Sequence, residues 1–233
     1  MTLRAGLIIP SSNRMAEQEM VHTYPEGVQP HITRLRMTAE HKVPLAQLAG
    51  RITEAAGALV DARCDVVTFH CTANSTDGGV EGEALILDAL KKAGAKHAST
   101  TATALRRAFK ALATKRVVMI TPYSQKMTDH EAEFIEAVGV KVLTAVGHAL
   151  GGSDEYCAAP PSFWRDKALD VRHKDADLYF ISCANTNSLS VIAELERKLE
   201  RPVITSNQIV VWDQLRAIGA KPTAVCEGRL YEH

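Results

Sequence analysis

The feature that most constrains the fold is one sequence pattern that occurs twice. Cys71 and Cys183 each follow a short apolar run and precede a polar tail, and they are 183 − 71 = 112 residues apart. The upstream apolar runs that end at Pro10 and Pro122 have the same offset, since 122 − 10 = 112. We therefore expect two copies of one unit that face each other across a site with a cysteine on either side.

Within each copy, apolar runs typical of buried strands alternate with segments of helical spacing. Residues 4–9 predict a strand and 14–22 a helix, while 65–70 predict a strand and 80–93 a helix. Parallel strands need crossover connections, so this alternation favours parallel sheets with helices on their faces. The predicted fold class is α/β, with two pseudo-symmetric lobes that each contain a mainly parallel sheet flanked by helices.

Two connections are predicted to be loops. Residues 71–79 follow the first repeated cysteine, and residues 147–161 contain Gly151-Gly152 and Pro160-Pro161 without a clear period. Long loops in compact domains are often functional lids. The alternative for 147–161 is a surface loop that makes no contact with the rest of the protein.

Composition narrows the class of partner and the compartment. Lys+Arg and Asp+Glu are 27 each, so the chain has no net field that would attract nucleic acid or an anionic membrane surface. The N-terminal residues lack the pattern of a signal peptide, and no apolar run approaches a membrane span. The five cysteines are an odd set without C-x-x-C, which argues against disulfides and structural zinc. We expect a cytoplasmic protein with free thiols.

The repeated cysteines are the candidate catalytic groups. Both are predicted at a strand-to-helix junction, where backbone N–H groups and the helix dipole lower the pKa of a thiol. Two thiols on opposite faces of a small substrate support acid–base inversion of a stereocentre, or covalent addition to an electron-poor alkene. Cys64 and Cys226 lack this context and are interpreted as structural, while the sequence assigns no role to Cys157.

Neutral hydrogen-bonding side chains accumulate near the same strand ends. They suit a carboxylate that is held without an arginine, although each could instead cap a helix. His70 precedes Cys71 on a strand, so it should point to the opposite face as a packed or solvated histidine. The candidate substrate-binding residues are Ser11, Asn13, Thr72, Asn74, Tyr123, Ser182, Asn185 and Thr186.

The sequence resembles the aspartate/glutamate racemase superfamily, and within it the branch that contains maleate cis-trans isomerase and arylmalonate decarboxylase. The most specific motifs are residues 6–13, Ile181-Ser182-Cys183, residues 191–196 and residues 201–208 with Trp212. The resemblance implies two α/β lobes with the site between them, and neither a metal nor an organic cofactor. It also implies that a C-terminal helix, 208–233, packs back on the first lobe, 1–114, while 115–207 form the second lobe.

The resemblance further implies roles for the two thiols. Cys71 would be the nucleophile that adds to the alkene of maleate, Cys183 would act as acid and base, and Asn13 and Tyr123 would hold carboxylates. Decarboxylases of this branch keep only the later cysteine, so the pair favours isomerisation of maleate or a similar small dicarboxylate. The alternatives are a two-cysteine racemase or epimerase, a decarboxylase, and a non-enzymatic carboxylate-binding protein. We expect a homodimer or higher homo-oligomer.

Overall fold

Two four-stranded parallel sheets form the framework of the protein in the computed structural model, which describes residues 2–37, 44–223 and 226–233. The strands are Leu3–Pro10 (β1), Val28–Leu35 (β2), Val66–Phe69 (β3), His97–Thr100 (β4), Arg116–Thr121 (β5), Lys141–Gly147 (β6), Leu178–Ile181 (β7) and Val203–Thr205 (β8). The strand order is β2-β1-β3-β4 in the first sheet and β6-β5-β7-β8 in the second, and all recorded pairings are parallel. The predicted fold class is confirmed.

Helices connect the strands and cover both sheets. They are Ala16–Met20 (α1), Leu45–Asp61 (α2), Thr72–Thr76 (α3), Gly79–Lys92 (α4), Thr101–Ala111 (α5), Gln125–Ala137 (α6), Ser153–Ala158 (α7), Pro161–Asp170 (α8), Ile192–Leu199 (α9) and Ser206–Ile218 (α10). Short 3₁₀ turns occupy Val21–Thr23, Leu189–Val191 and Arg229–Glu232.

The duplication seen in the sequence is also present in the strand register. Ala5 pairs with Val66 in the first sheet, and Val117 pairs with Leu178 in the second. Both partners shift by the same amount, because 117 − 5 = 112 and 178 − 66 = 112. The two sheets are therefore copies of one unit in strand order and in register.

The alternation of side chains along the strands creates three apolar clusters. Residues such as Leu7 of β1 and Met119 of β5 point into one central cluster, which also contains the buried faces of α5 and α10. Ile8 and Ile120 point the other way, into outer clusters formed with α2 and α4 in the first lobe and with α8 and α9 in the second. The central cluster thus joins the two sheets.

Two predicted loops contain short helices. In residues 71–79, the hydroxyl groups of Ser75 and Thr76 donate to the carbonyl of Thr72, which closes the single turn α3. In residues 147–161, Ser153–Ala158 forms α7, and Pro161 then occupies the first turn of α8. Helices this short carry too few apolar positions to show a helical period.

Helix α10 lies against the first sheet through two buried amide contacts. Gln214 Nε2 donates to the carbonyl of Gly6 at 2.9 Å and to Thr68 Oγ1 at 3.0 Å.

The helix α10 ends at Gly219, whose φ of +70° is the left-handed conformation that favours glycine. It does not continue through 208–233, and residues 224–225 of that predicted range lie outside the described residues. The lobe boundaries at 114 and 207 stay a prediction.

The strand orders locate the site. In each sheet the strand order reverses between the two central strands, which are β1 and β3 in the first sheet and β5 and β7 in the second. Ligands of α/β sheets bind beyond the carboxyl ends of the strands at such a reversal. Cys71 follows β3 and Cys183 follows β7.

Candidate active site

Cys71 lies at the junction between β3 and α3. Its extended backbone, with φ −153° and ψ 108°, is typical of the residue before a helix, and its carbonyl accepts from Ser75 N at 2.9 Å. Asn74 Nδ2 donates to Cys71 Sγ at 3.0 Å. Burial raises the pKa of the Cys71 thiol, while the side-chain and backbone N–H groups of Asn74 lower it. The half-buried thiol therefore has donors that stabilise its anion.

Cys183 follows β7 with a different backbone conformation. Its φ is +97°, a region that residues with a side chain rarely adopt, and such strain is found mainly at functional positions. Asn185 N donates to Cys183 Sγ at 3.3 Å. Burial raises the pKa of this thiol to about 12, against the lowering effect of hydrogen bonds from Tyr123 and Asn185. Cys183 is thus held as a neutral thiol.

Ser206, the first residue of α10, connects the two cysteine loops. Its Oγ accepts from Thr72 Oγ1 at 2.8 Å and from Cys183 N at 3.0 Å. Thr72 directly follows Cys71, so one buried hydroxyl fixes both thiol-bearing junctions relative to each other. Nothing in the local sequence pattern pointed to Ser206 as a site residue.

Tyr123 connects the site to α7. Its backbone N–H donates to Thr121 Oγ1 at 3.1 Å, and its ring is 5.9 Å from that of Tyr156 in an edge-to-face arrangement. Burial raises the pKa of Tyr123 well above its usual value, and the nearby Cys183 thiol raises it further. The phenol is therefore a neutral donor beside Cys183, and α7 touches the site.

Asn185 and Thr186 stabilise the loop after Cys183. Asn185 Oδ1 accepts from Arg14 N at 2.8 Å and from Cys157 Sγ at 3.1 Å, which ties this loop to the start of α1 and to α7. Thr186 Oγ1 donates to the carbonyl of Cys183 at 2.9 Å. These contacts hold the strained Cys183 backbone from both sides and give Cys157 a position at the edge of the site.

Asn13 and Ser11, after β1, have different surroundings. Asn13 Nδ2 donates to the carbonyl of Ala184 at 2.9 Å, and its Oδ1 accepts from Met15 N at 3.1 Å and from Ala16 N at 2.9 Å, at the start of α1. Asn13 thus joins the start of α1 to the loop after Cys183. Ser11 Oγ accepts from Met37 N at 3.2 Å, beside the end of β2.

Ser182 bonds to a buried carboxyl group that is not among the residues predicted from the sequence. Ser182 Oγ donates to Glu131 Oε1 at 2.6 Å. Glu131 lies on α6 and is 2% exposed, and its Oε2 has no hydrogen-bond partner. Burial raises the pKa of Glu131 to about 7. The repeat could have revealed it, because Glu131 and Glu19 are 131 − 19 = 112 residues apart.

His70 lies behind Cys71 in a second buried network. Its Nδ1 is 3.0 Å from Thr101 Oγ1 and its Nε2 is 2.8 Å from Asn207 Oδ1, while Asn207 Nδ2 donates to Glu19 Oε2 at 2.6 Å. Burial lowers the pKa of His70 to about 4, so the ring is neutral. This agrees with the prediction of a packed histidine.

A groove of about 680 Å³ lies elsewhere, at the amino-terminal end of β4. Two of its cationic side chains are held in ion pairs, with Arg107 Nη1 2.8 Å from Asp213 Oδ1 and Lys96 Nζ 3.1 Å from Asp65 Oδ1, and no cysteine lines it among the described residues. The groove therefore offers less chemistry than the thiol site.

Neither a metal site nor a membrane helix is found in the part of the chain that the structure describes. Residues 2–37, 44–223 and 226–233 contain no cluster of three or more His, Cys, Asp or Glu side chains that could hold a metal ion. Within the same ranges, no helix combines the length and apolarity needed to cross a membrane.

Known proteins share this architecture along nearly the whole chain. The maleate isomerase of Geobacillus stearothermophilus is 27% identical over 233 residues, which cover 94% of this chain and 92% of that protein. A maleate isomerase from Pseudomonas putida S16, solved with maleate, is 25% identical with a TM-score of 0.87, covering 98% of this chain and 97% of that one.

A Nocardia farcinica maleate cis-trans isomerase, solved with a covalently bound succinylcysteine intermediate, is 23% identical with a TM-score of 0.88 and covers 98% of both chains. This likeness shows the fold. A family model described as arylmalonate decarboxylase matches residues 5–231. The chain therefore belongs to the arylmalonate decarboxylase family.

Proposed function

We propose that the protein is a cofactor-independent cis-trans isomerase of maleate or a similar small dicarboxylate. The observation that carries the proposal is the pair of thiols at equivalent junctions, Cys71 after β3 and Cys183 after β7. Ser206 connects the two junctions by its bonds to Thr72 and to the backbone N–H of Cys183. The maleate isomerases among the relatives support the reaction class, and one of them was solved with maleate.

The surroundings of the thiols support different roles for them. Cys71 is half-buried and accepts from Asn74 Nδ2, so its thiolate can form and reach a ligand. Cys183 is 6% exposed, with a pKa raised to about 12, so it keeps its proton until a stronger base appears. We assign Cys71 as nucleophile and Cys183 as acid and base.

The reaction then proceeds in four steps. The Cys71 thiolate forms a carbon–sulfur bond to one alkene carbon, and the π electrons move to the neighbouring carbon and its carboxylate as an enediolate. Cys183 gives its proton to that carbon, which leaves a succinyl thioether. The central bond is now single and rotates. The Cys183 thiolate removes the proton again, the carbon–sulfur bond breaks, and fumarate and the Cys71 thiolate are released.

Neutral donors stabilise the charge that develops on the substrate. We assign Asn13 and Tyr123 to the substrate carboxylates, with the second amide hydrogen of Asn13 as one donor. The Tyr123 hydroxyl, which bonds to Cys183, would turn to a carboxylate oxygen when the substrate is bound. The hydroxyl groups of Thr72 and Ser182 donate to Ser206 and Glu131 and hold the two thiol-bearing loops in place. Donors fixed in a buried site favour the enediolate over the ground state, which is how they accelerate the reaction.

The proposal is tested by following the vinyl proton signal of maleate by NMR. The wild-type protein should convert maleate to fumarate, and Cys71→Ser and Cys183→Ser should each lower kcat by at least about a thousandfold. The matched control is Cys226→Ser, since Cys226 Sγ donates to the carbonyl of Thr23 at 3.2 Å and a hydroxyl can replace that bond. No turnover by wild-type protein at high enzyme concentration would contradict the proposal.

A two-cysteine racemase is the second candidate, because thiols on two sides of a substrate also permit proton exchange at a stereocentre. It requires solvent deuterium to appear at the α-carbon of an amino acid or related carboxylate. Deuterium incorporation without conversion of maleate would favour this candidate over the isomerase.

We also infer a homo-oligomer that works in the cytoplasm. Apolar side chains remain exposed on two helices in contact, Val80 and Leu85 on α4 and Met127 on α6, which suits a contact with another copy. Light scattering should give a mass above that of one chain, and Leu85→Glu should reduce it. An unchanged oligomer in this variant would exclude this surface.

A further inference from the structure

The internal repeat gives the protein two equivalent buried carboxyl groups, Glu19 on α1 and Glu131 on α6, separated by 131 − 19 = 112 residues. Burial raises the pKa of both to about 7. Equivalent positions with the same side chain are expected to have equivalent partners. Their hydrogen-bond partners differ, and Glu131 is the one that bonds to the residue directly before a site cysteine, Cys183.

Glu19 is fully bonded to the protein. Its Oε1 accepts from the backbone N–H groups of Ser188 and Leu189, the latter at 2.8 Å, and its Oε2 accepts from Asn207 Nδ2 at 2.6 Å. These contacts join α1 to α10 and to the loop after Cys183. Glu19 therefore has a structural role that uses both of its oxygens.

Glu131 is bonded through one oxygen. Oε1 accepts from Ser182 Oγ at 2.6 Å, but the buried Oε2 has no partner. An ionised oxygen that is buried without a donor carries a large desolvation cost, whereas a protonated carboxyl group avoids most of it. The structure thus favours the neutral acid at this position.

Glu131 is connected to both thiol-bearing junctions by the packing of α6. Ser182, which bonds to Glu131, directly precedes Cys183, and α6 contacts α3, which directly follows Cys71. The negative charge of Glu131, when present, raises the pKa of Cys71, Cys183 and Tyr123. No other buried carboxyl group among the described residues acts on both thiols in this way. The charge of Glu131 and a thiolate at Cys71 therefore oppose each other.

The elements packed against α6, which are α3, α4 and β6, supply few charges to compensate. Asp77, after α3, is 3.4 Å from His130 on α6 itself, and Glu83 on α4 is paired with Arg106 at 2.9 Å. Lys141 begins β6 and is exposed. In the described part of the chain, no cationic side chain forms an ion pair with Glu131.

We propose that Glu131 is a positioning residue that must be a neutral carboxylic acid for Cys71 to react, and that its ionisation suppresses the thiolate. In the proposed reaction, on which this role rests, the substrate is a dianion and the nucleophile an anion. A fourth negative charge in the same buried space would oppose both binding and addition.

The first test measures thiol reactivity without any substrate. Iodoacetamide labels Cys71 in wild-type protein and in Glu131→Gln from about pH 6 to about pH 9, and peptide mass spectrometry gives the rate constants. At about pH 8 the variant should react roughly three- to tenfold faster, since a tenfold change corresponds to one unit in the thiol pKa. The control Glu133→Gln removes an exposed charge two residues along the same helix and should match wild type.

The second test measures turnover of maleate over the same range. In wild type, kcat/KM should fall above about pH 7 as Glu131 ionises, and in Glu131→Gln this fall should be absent. Labelling of Cys71 in Glu131→Gln at the wild-type rate, or a folded variant without turnover, would overturn the proposal. The second result would mean that an ionisable carboxylate, acting as a base, is required.

A second variant keeps the proposal testable if Glu131→Gln does not fold. Ser182→Ala removes the hydrogen bond that lowers the pKa of Glu131, so the suppression of Cys71 labelling should begin at higher pH than in wild type. An unchanged labelling profile in Ser182→Ala would contradict the role of Glu131. Labelling needs no turnover, so an inactive wild-type protein would refute the proposed function while labelling still decides the role of Glu131.

Discussion

The conformation of Cys183 has a measurable energetic consequence. Its φ of +97° is accessible to glycine but strained for residues with a side chain, and such strain costs on the order of 1 to 3 kcal/mol. Cys183→Gly should therefore be more stable than Cys183→Ala by about 1 kcal/mol in urea unfolding. The control is Ala184→Gly, which should lower stability because Ala184 has a negative φ. Equal stability of the two Cys183 variants would contradict the strain.

The repeat identified Cys71 and Cys183 from the sequence but could not predict their difference. After Cys71, the hydroxyl groups of Ser75 and Thr76 close α3 locally. After Cys183, Asn185 instead bonds to Arg14 N, which is 171 residues away in the sequence. The loop after Cys183 thus has a bond to the start of α1 that a local sequence pattern does not reveal.

Ser206 and Glu131 were missed for the same reason. Ser206 bonds to Thr72 and Cys183 across 134 and 23 residues. Glu131 reaches Ser182 across 51 residues. Periodicity and local spacing describe neighbours along the chain, whereas these contacts join residues that only the tertiary fold brings together.

At the scale of secondary structure, α7 is the element that the sequence assigned least well. Residues 147–161 gave no period, yet Tyr156 of α7 packs on Tyr123 and Cys157 bonds to Asn185. The alternative of a surface loop without contacts is therefore wrong. The longer elements were predicted closely, since α2, predicted over 45–62, spans Leu45–Asp61 and buries Leu48, Ile52 and Leu59 on one face.

The contact between α7 and Tyr123 predicts a functional effect. Tyr156→Ala removes the ring that supports Tyr123, so kcat/KM for maleate should fall roughly fivefold, as the loss of an aromatic pair of about 1 kcal/mol would give. Tyr156→Phe keeps the edge-to-face contact and should stay within about twofold of wild type. Equal kcat/KM values for the alanine and phenylalanine variants would show that this ring contact has no functional role.

At the scale of the whole molecule, the two lobes share one core. The central cluster contains residues of both sheets together with α5 and α10, so neither lobe can unfold without exposing it. The sequence predicted the two copies, but a shared core depends on which sheet faces meet. Calorimetry should show a single unfolding transition.

The two buried carboxyl groups predict how stability depends on pH. The folded pKa of Glu19 and of Glu131 is about 7, above the usual 4.5, so the folded protein binds these protons more tightly than the unfolded chain. Their contribution is complete below about pH 4.5 and is lost as the pH rises to about 7, at most about 3 kcal/mol for each group.

Urea unfolding at about pH 5 and about pH 8 measures this dependence. Wild-type protein should lose free energy of unfolding between the two values, and Glu131→Gln should lose less. The control Glu133→Gln should lose as much as wild type, because Glu133 is exposed. An identical loss in Glu131→Gln would show that this carboxyl group has no raised pKa.

The central claim is that Cys71 adds covalently to the substrate, and trapping tests it most directly. In Cys183→Ser, solvent can protonate the adduct, but no thiolate remains to remove that proton, so the thioether should accumulate. Maleate incubated with this variant should add the mass of one maleic acid to the protein, and peptide mapping should place it on Cys71. Turnover by the wild-type protein with no adduct on Cys71 in the variant, or with the adduct on another cysteine, would contradict the account.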